Sequence, residues 1–442
     1  MNKKIYEGSS NYTCTVVEIK NLTPIEGMNK ILLTNIQGNN IVVSADTVVG
    51  EKGLFFPSEC TISPLFLQYN NLFKHSHLNK DANKKGYFDD NGRVKALKLV
   101  KGTVISTGFY IPLNALDYLG KTELEVGDEF NELNGNFICK KYIPKFITQA
   151  VARSKNDKLA NKFAKLIPDQ FRLHEDTAKL ALNLHKFKPN DIIAITSKTH
   201  GTSAVFANVL INRELKWYEK LAKKLGVSVV TEEYAYITSS RKVIKSVEIN
   251  DGDQNHFYDT DIWSTVGEEV APYIEKGVTL YGEIVGFLPS GKGIQGDYDY
   301  GCLPGKHAFY VYRITYTTPQ GKVIEFSWEQ IKQYCKKYPE LKHVPEYYFG
   351  SAEDFYFRFV NTETKEMSSR FADDIFQFLQ KAYNMEKRCE FCANDVPAEG
   401  LVVRRDGKHT FEAYKLKAKA FLLKESEDLD KNVVDTELME SL

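Results

Sequence analysis

The segment Ile193-Ala-Ile-Thr-Ser-Lys198-Thr-His200-Gly201-Thr-Ser203 sets a lysine just after an apolar run and just before a glycine turn. A lysine so placed can present its amine into a pocket. To act as a nucleophile the amine must be neutral, against a reference pKa of about 10.4. Neighbouring cations and desolvation are what lower it. Other charged groups must therefore converge on Lys198 from distant parts of the chain. Lys415-Leu-Lys417 lies in a strand-like run, and period-two alternation puts both lysines on one face. Two adjacent ammonium groups suit an α-phosphate and would depress the pKa of Lys198. Glu399 opens Glu-Gly-Leu-Val-Val, and Glu283 closes Leu280-Tyr-Gly-Glu. Two carboxylates facing a phosphate read as magnesium or ribose ligands. Phe309-Tyr-Val-Tyr312 is an aromatic strand able to cover a purine. Each piece alone is commonplace: a lysine before glycine is usually a surface turn, and a KxK strand is usually a solvated face. The ordered combination is what is specific.

These groups need a scaffold of alternating strands and helices, and from about Ile192 the pattern supplies one. Strands are predicted at Ile192–Thr196, Val278–Phe287, Ala308–Tyr316, Gly400–Arg404 and Ala413–Leu423. Helices are predicted at Arg213–Leu225, stopped by Gly226, and at Trp328–Tyr338 and Phe371–Tyr383. The stretch from Lys424 to Leu442 is acidic and reads as frayed or as a short helix. The first ~145 residues read instead as short strands: Tyr12–Lys20, Lys30–Ile36, Asn40–Ser44, Lys52–Pro57, the long run Val94–Pro112 after the hairpin dipeptide Asn91-Gly92, and Leu124–Phe130. That spacing suggests a small barrel or sandwich. Between the two regions, Lys155–Leu166 is amphipathic through Leu159, Phe163 and Leu166, and its lysines are either a solvated face or an RNA contact.

In chain order, Lys198-Thr-His-Gly (motif I), Ser240-Arg241 (Ia), Tyr281-Gly-Glu283 (III), the strand ending at Tyr312 (IIIa), Glu399-Gly-Leu-Val (IV) and Lys415-Leu-Lys417 (V) resemble the six motifs of the covalent nucleotidyltransferase superfamily of ATP-dependent ligases and capping enzymes. The match spans about half of the chain. The KTHGT spelling is similar to RNA ligases of the phage T4 second-ligase and trypanosome editing kinds. DNA ligases and capping enzymes usually carry KxDGxR. Gly293-Ile-Gln-Gly-Asp-Tyr-Asp-Tyr-Gly301 extends the resemblance. The N-terminal stretches Gly53-Leu-Phe-Phe-Pro57 and Gly92-Arg-Val-Lys-Ala-Leu-Lys98 look like the Naegleria- and Deinococcus-type RNA ligases.

The resemblance implies an α+β chain, with a nucleotidyltransferase domain of antiparallel sheets and helices preceded by an OB-like β-barrel. Residues 1–148 would be the barrel, 149–190 a linker, 191–424 the transferase and 425–442 an acidic tail. It further implies ATP and Mg2+ or Mn2+ as cofactors, and RNA with 3′-hydroxyl and 5′-phosphate ends as partner, a nicked duplex included. Lys198 would form lysyl-AMP, Lys415 and Lys417 would hold the α-phosphate, and Glu399 would hold the metal. Glu283 would contact ribose or share the metal shell, Tyr312 would stack on adenine, and Arg241 would touch ribose or a nucleic-acid phosphate. His200 and Gly201 shape the turn. Where the phage type has a glutamate before the motif I lysine this chain has Ser197, so backbone or Thr196 would take the adenine amino contact. The barrel would grip RNA through Lys95, Lys98, Lys101, Phe109 and Tyr110, although the two aromatics read better as core.

Composition narrows the alternatives. Lys+Arg and Asp+Glu are both 58 in 442 residues, so binding by bulk positive charge is excluded. Gly291-Lys-Gly-Ile-Gln-Gly296 spells GxGxxG but is followed by Asp-Tyr-Asp-Tyr rather than a helix, and no P-loop spelling exists. Seven scattered cysteines and the absence of an apolar leader or long apolar stretch point to a reducing, cytoplasmic setting away from membranes, and a monomer is expected. Cys389-x-x-Cys392 lacks two further zinc ligands at a zinc-site spacing and reads as thiols near a helix end. A DNA ligase or capping enzyme is the alternative within the superfamily. A catalytically silent RNA-binding relative is the alternative outside enzymes, and intact Lys198, Glu399, Lys415 and Lys417 argue against it.

Overall fold

The computed structural model describes residues 2–99, 102, 104–120, 123–144, 165–247, 258, 260–364, 366–383 and 386–431. Its centre is two sheets, antiparallel but for one short edge strand in each. The first has the order Ala178–Lys179, Ala413–Lys417, Gly400–Arg405, Ile192–Ser197, Glu346–Ser351. The second runs Ile244–Val247, Glu232–Ser240, Thr202–Asn212, Val278–Gly286, His307–Thr317, Val323–Glu325, with Lys342–His343 added in parallel to His307–Thr317. Motif I is the connection between the sheets, since Ile192–Ser197 leads through Lys198 into Thr202–Asn212.

Side-chain alternation decides which face of the first sheet does chemistry. Ile193, Ile195, Leu401, Val403 and Tyr414 point to one side, where they pack on Phe371, Ile375 and Phe376 of the helix Phe371–Ala382 and on Phe421. Thr196, Val402, Arg404, Ala413 and Lys415 point to the other side and line an open pocket. The apolar run Ala204–Ile211 is buried along its whole length. It packs by Ala204 and Phe206 on the helix Ile262–Val270 and by Ala207, Val209 and Ile211 on Ile237 and Ile244. Burial on both faces makes the second sheet a stiff platform for motif I.

The N-terminal strands form an open four-stranded sheet of order Gly108–Pro112, Lys52–Pro57, Cys14–Glu18, Glu129–Phe130, and beside it a meander of Thr23–Ile25, Met28–Ile36 and Asn39–Ser44. The expected barrel is not closed among the described residues, because the edge strands Gly108–Pro112 and Glu129–Phe130 do not pair with one another. Phe109 and Tyr110 are core side chains, as their alternation implied.

Several expected boundaries move. The run Val94–Pro112 breaks into Leu97–Leu99, Val104–Ser106 and Gly108–Pro112, Leu124–Phe130 shortens to Glu129–Phe130, and the helix Arg213–Leu225 forms only over Trp217–Lys224. The strand expected to run from Ala413 to Leu423 stops at Lys417, and a helix, Lys419–Asp430, replaces its second half. That helix is held by the N-terminal strands. Arg93 donates from Nε and Nη2 to Glu59 (2.8 and 2.9 Å) and also to the Ser426 carbonyl (3.1 Å), and Ser426 Oγ accepts from the Ala96 amide (3.0 Å). Arg93 and Lys95 both reach Asp430. The expected helix Lys155–Leu166 lies outside the described residues except for its last two positions, where Leu166 bridges to Ile211. Lys101 and the tail after residue 431 also lie outside them.

Candidate active site

Lys198 leaves the end of its strand with its amide bonded to the Gly400 carbonyl at 3.0 Å. That bond holds motifs I and IV together through backbone. The side chains follow: Lys198 Nζ lies 2.5 Å from Glu399 Oε1, with the lysine side chain 13% and the glutamate 2% exposed. The other carboxylate oxygen, Oε2, is buried, has no hydrogen-bond donor, and stands 3.7 Å from His200 Nδ1. The His200 ring is set edge-on between Tyr298 and Phe421 at 4.8 and 4.9 Å.

The motif I turn is clamped from a loop that carries no regular structure of its own. Gln295 Nε2 donates to the Gly201 carbonyl at 2.8 Å, and the His200 amide donates to the Tyr300 hydroxyl. Asp299 accepts from the amides of Gly301, Ala393 and Asn394, which fixes that loop against the Cys389–Cys392 turn. Gly201 is required by space: a Cβ there would meet the Ile284 carbonyl oxygen at 2.5 Å.

The pocket in front of Lys198 is an open recess of about 720 Å³, counted out into solvent. Of the residues singled out in the sequence, Thr196, Lys198, Arg241, Glu283, Tyr312 and Lys415 line it, along with Ser197. Glu399 and His200 adjoin Lys198 from the side, and Gly201 supports the turn from behind. Lys417 lies elsewhere: it bonds Glu425 at 2.8 Å and lines a second cavity that shares Lys415 with the first. Of the lysines proposed to grip RNA, Lys95 is tied to Asp89 and Asp430, and Lys98 is exposed.

Electrostatics at the pocket are organised by pairs. Arg241 meets Asp176 through Nε (3.0 Å) and Nη2 (2.5 Å). Burial alone would raise the Asp176 carboxyl, but the Arg241 charge and hydrogen bonds outweigh it and hold the pKa below the ordinary value. Tyr312 is bonded to His174 Nδ1 at 2.7 Å, and burial, reinforced by the nearby Glu283 charge, pushes its phenol well above the ordinary value. At the far end Trp328, Val344 and Phe411 give an apolar floor, and the Phe411 ring lies under both Arg313 (4.5 Å) and Arg404 (5.6 Å).

The chain matches the RNA ligase family model over residues 191–420, just over half of its length. It belongs to the RNA ligase family.

Solved structures of the RNA ligase of Naegleria gruberi share its fold. A complex of that enzyme with AMP and Mn is 16% identical, with a TM-score of 0.55, over 93% of this chain and 98% of that one. A complex with ATP and Mn is 16% identical with a TM-score of 0.56 over 93% and 98%, and one with pyrophosphate is 16% identical with a TM-score of 0.55 over 94% and 98%. No curated protein sequence is significantly similar to this ligase. Several residues of its site escaped the sequence reading. His174 and Asp176 precede the first transferase strand in an irregular stretch, with no periodicity to mark them. Gln295, Tyr298 and Tyr300 sit in the quoted Gly293–Gly301 run, whose dense tyrosines and aspartate were the one signal that could have shown it to be a buried clamp.

Proposed function

We propose that this RNA ligase is ATP-dependent and seals RNA 3′-hydroxyl to 5′-phosphate ends through lysyl-AMP and adenylylated RNA. One observation carries the reading: the Lys198 amine, held by Glu399, opens into a pocket with Lys415 on one wall and Tyr312, Trp328 and Phe411 around an apolar end. In the first step the Lys198 nitrogen bonds the α-phosphorus of ATP, the bond to the β-phosphate oxygen breaks, and the amine gives up a proton. In the second an RNA 5′-phosphate oxygen takes the AMP and the lysine regains a proton. In the third a 3′-hydroxyl displaces AMP. All three depend on positioning and charge stabilisation. Lys415 steadies the α-phosphate. Tyr312 stacks on the base, and Arg241 and Glu283 face the sugar. Backbone or Thr196, beside Ser197 where the phage type has glutamate, supplies the adenine contact.

A divalent metal suits the donors present, since Glu399 keeps a buried oxygen without a hydrogen-bond donor and Glu283 faces the same pocket. No group of three metal-binding side chains occurs among the described residues. A hard ion such as Mg2+ or Mn2+, which keeps several waters and binds through one or two carboxylates plus substrate phosphates, fits that donor set. When bound it would neutralise charge at the reacting phosphate. In this reading residues 1–148 form an OB-like RNA-binding unit, the linker of 149–190 ends by adding the edge strand Ala178–Lys179 to the transferase sheet, and 191–424 complete the transferase. A reducing, cytoplasmic setting accords with seven free cysteines, and the reading takes the protein as a monomer.

The test is incubation with α-labelled ATP and magnesium, then denaturing electrophoresis. Wild-type protein carries acid-labile AMP and Lys198→Ala does not. Equal labelling of the two, or none of the wild type, refutes the reading. Labelling by GTP in place of ATP would favour capping, efficient sealing of a DNA 3′-hydroxyl end would favour a DNA ligase, and sealing of matched nicked and unpaired RNA tells which RNA ends are joined.

A further inference from the structure

Beside the two lysines of motif V stands a third that no sequence motif contains. The two-residue strand Ala178–Lys179 pairs in parallel with Ala413–Lys417, with Lys179 opposite Lys415. Residues so paired project to the same face of a sheet. Lys179 and Lys415, with Lys417 and Lys419, line an open cavity of about 790 Å³, counted out into solvent, between the transferase sheet and the N-terminal strands. Its two carboxylates are already engaged: Glu425 by Lys417, and Glu59 by Arg93. Burial pulls the Lys179 amine down to about 8; nearby Cys60 and the Glu129 carboxylate oppose that pull in part, and the charge of Lys417 adds to it. An anion entering the cavity would relieve both effects.

The register fixes where this cavity lies relative to the reaction. Lys179, Lys415, Val402 and Thr196 form one row across four strands, and Lys198 extends from the Thr196 end. At about 4.8 Å per strand, Lys179 stands roughly 14 Å from Thr196 along that row, with Lys415 between them. A phosphate transferred in line has its attacking and leaving groups on opposite sides of phosphorus. With the α-phosphate on Lys415 and Lys198 on one side of it, the group on the other side faces Lys179. In the first step that group is the departing pyrophosphate. In the second, Lys198 is itself the leaving group, so the entering RNA 5′-phosphate must come from the side the pyrophosphate left.

We infer that the Lys179 cavity is one phosphate-binding site used twice, by pyrophosphate as Lys198 is adenylylated and by the RNA 5′-phosphate as AMP is passed on. This rests on the ligase reading above. Lys179 is a binding residue in both steps: it gains a phosphate oxygen as partner and breaks no bond.

The experiment uses full-length wild type, Lys179→Gln and Lys179→Arg, each loaded with labelled AMP by prolonged incubation and freed of ATP. One arm adds pyrophosphate and follows discharge of the label. The other adds a 5′-phosphorylated oligoribonucleotide and follows its transfer. Losing a charged hydrogen bond of this kind raises the half-saturating pyrophosphate about tenfold or more in Lys179→Gln and slows transfer at limiting RNA by a similar factor. Lys179→Arg restores both to within about threefold, which separates lost charge from lost folding. Wild-type behaviour of Lys179→Gln in either arm overturns the shared site, as does failure of Lys179→Arg with an unchanged unfolding midpoint. A wild-type protein that never loads AMP refutes the ligase reading itself, before either arm begins.

Discussion

Gly201→Ala is the substitution whose effect the geometry constrains most tightly. The added Cβ would lie 2.5 Å from the Ile284 carbonyl oxygen and 2.8 Å from Val285 Cγ1, against 3.4 Å for ordinary contact. The oxygen belongs to the buried strand Val278–Gly286, bonded on both sides by Thr202–Asn212 and His307–Thr317, so it cannot give way. The motif I turn must move instead, by close to an ångström. That turn carries Lys198 three residues upstream, and Gln295 grips its carbonyl from the far side. A displacement of about 1 Å at a reacting group costs on the order of 10²-fold in rate, and overpacking costs about 1–3 kcal/mol in stability. Single-turnover labelling with α-labelled ATP should therefore slow by roughly two orders of magnitude. Urea unfolding should show a folded protein of modestly lowered stability. Labelling within about threefold of wild type would refute the claim that this turn sets the nucleophile's position.

Three further outcomes follow from described pairs. Arg93→Met leaves Glu59 buried without its cation beneath the C-terminal helix, and should cost roughly 3–5 kcal/mol in equilibrium denaturation, most of it recovered when Glu59 is also replaced by an apolar residue. Arg241 holds the Asp176 carboxyl below its unfolded value, so the pair's stabilisation is complete above about pH 4 and lost as pH falls through the folded-state value. Asp176→Asn should therefore narrow its stability gap to wild type as acid is added, and a gap that widens contradicts the assignment. Hydrogen bonding from Cys392 brings the Cys389 thiol down to about 7, while burial raises those of Cys302 and Cys335. Alkylation followed by peptide mass mapping should find Cys389 modified first, with half-maximal rate near that pH.

The strands bearing Lys198, Glu399 and Lys415 were legible because each is a short apolar run with a charged residue at a defined register or end. Two other long transferase strands told less. Thr202–Asn212 is buried on both faces and so shows no alternation, and Glu232–Ser240 mixes acids, tyrosines and serines with no clean alternation. Ala413–Leu423 read as one strand because its residues are apolar or basic throughout. Its second half is helical because it is buried on two sides, Phe421 against the transferase core and Leu423 and Ser426 against the N-terminal region at Ala96, a tertiary reason invisible locally. Arg241 was placed by motif order alone, and its partner Asp176 is 65 residues away in an unpatterned stretch. Contacts made across such separations, like the Gln295 clamp on Gly201, leave no local trace in a single sequence.

The family-matched region begins at residue 191, yet the sheet it builds does not. Its margin is closed by Ala178–Lys179, which lies outside that region and hydrogen-bonds motif V directly. A transferase cut at the family boundary would lose both that strand and the Lys179 amine. It would expose Ala413–Lys417 as a bare margin whose open backbone groups invite pairing with a neighbouring molecule. An isolated transferase prepared this way should self-associate through motif V, so the smallest autonomous catalytic unit must begin before Ala178.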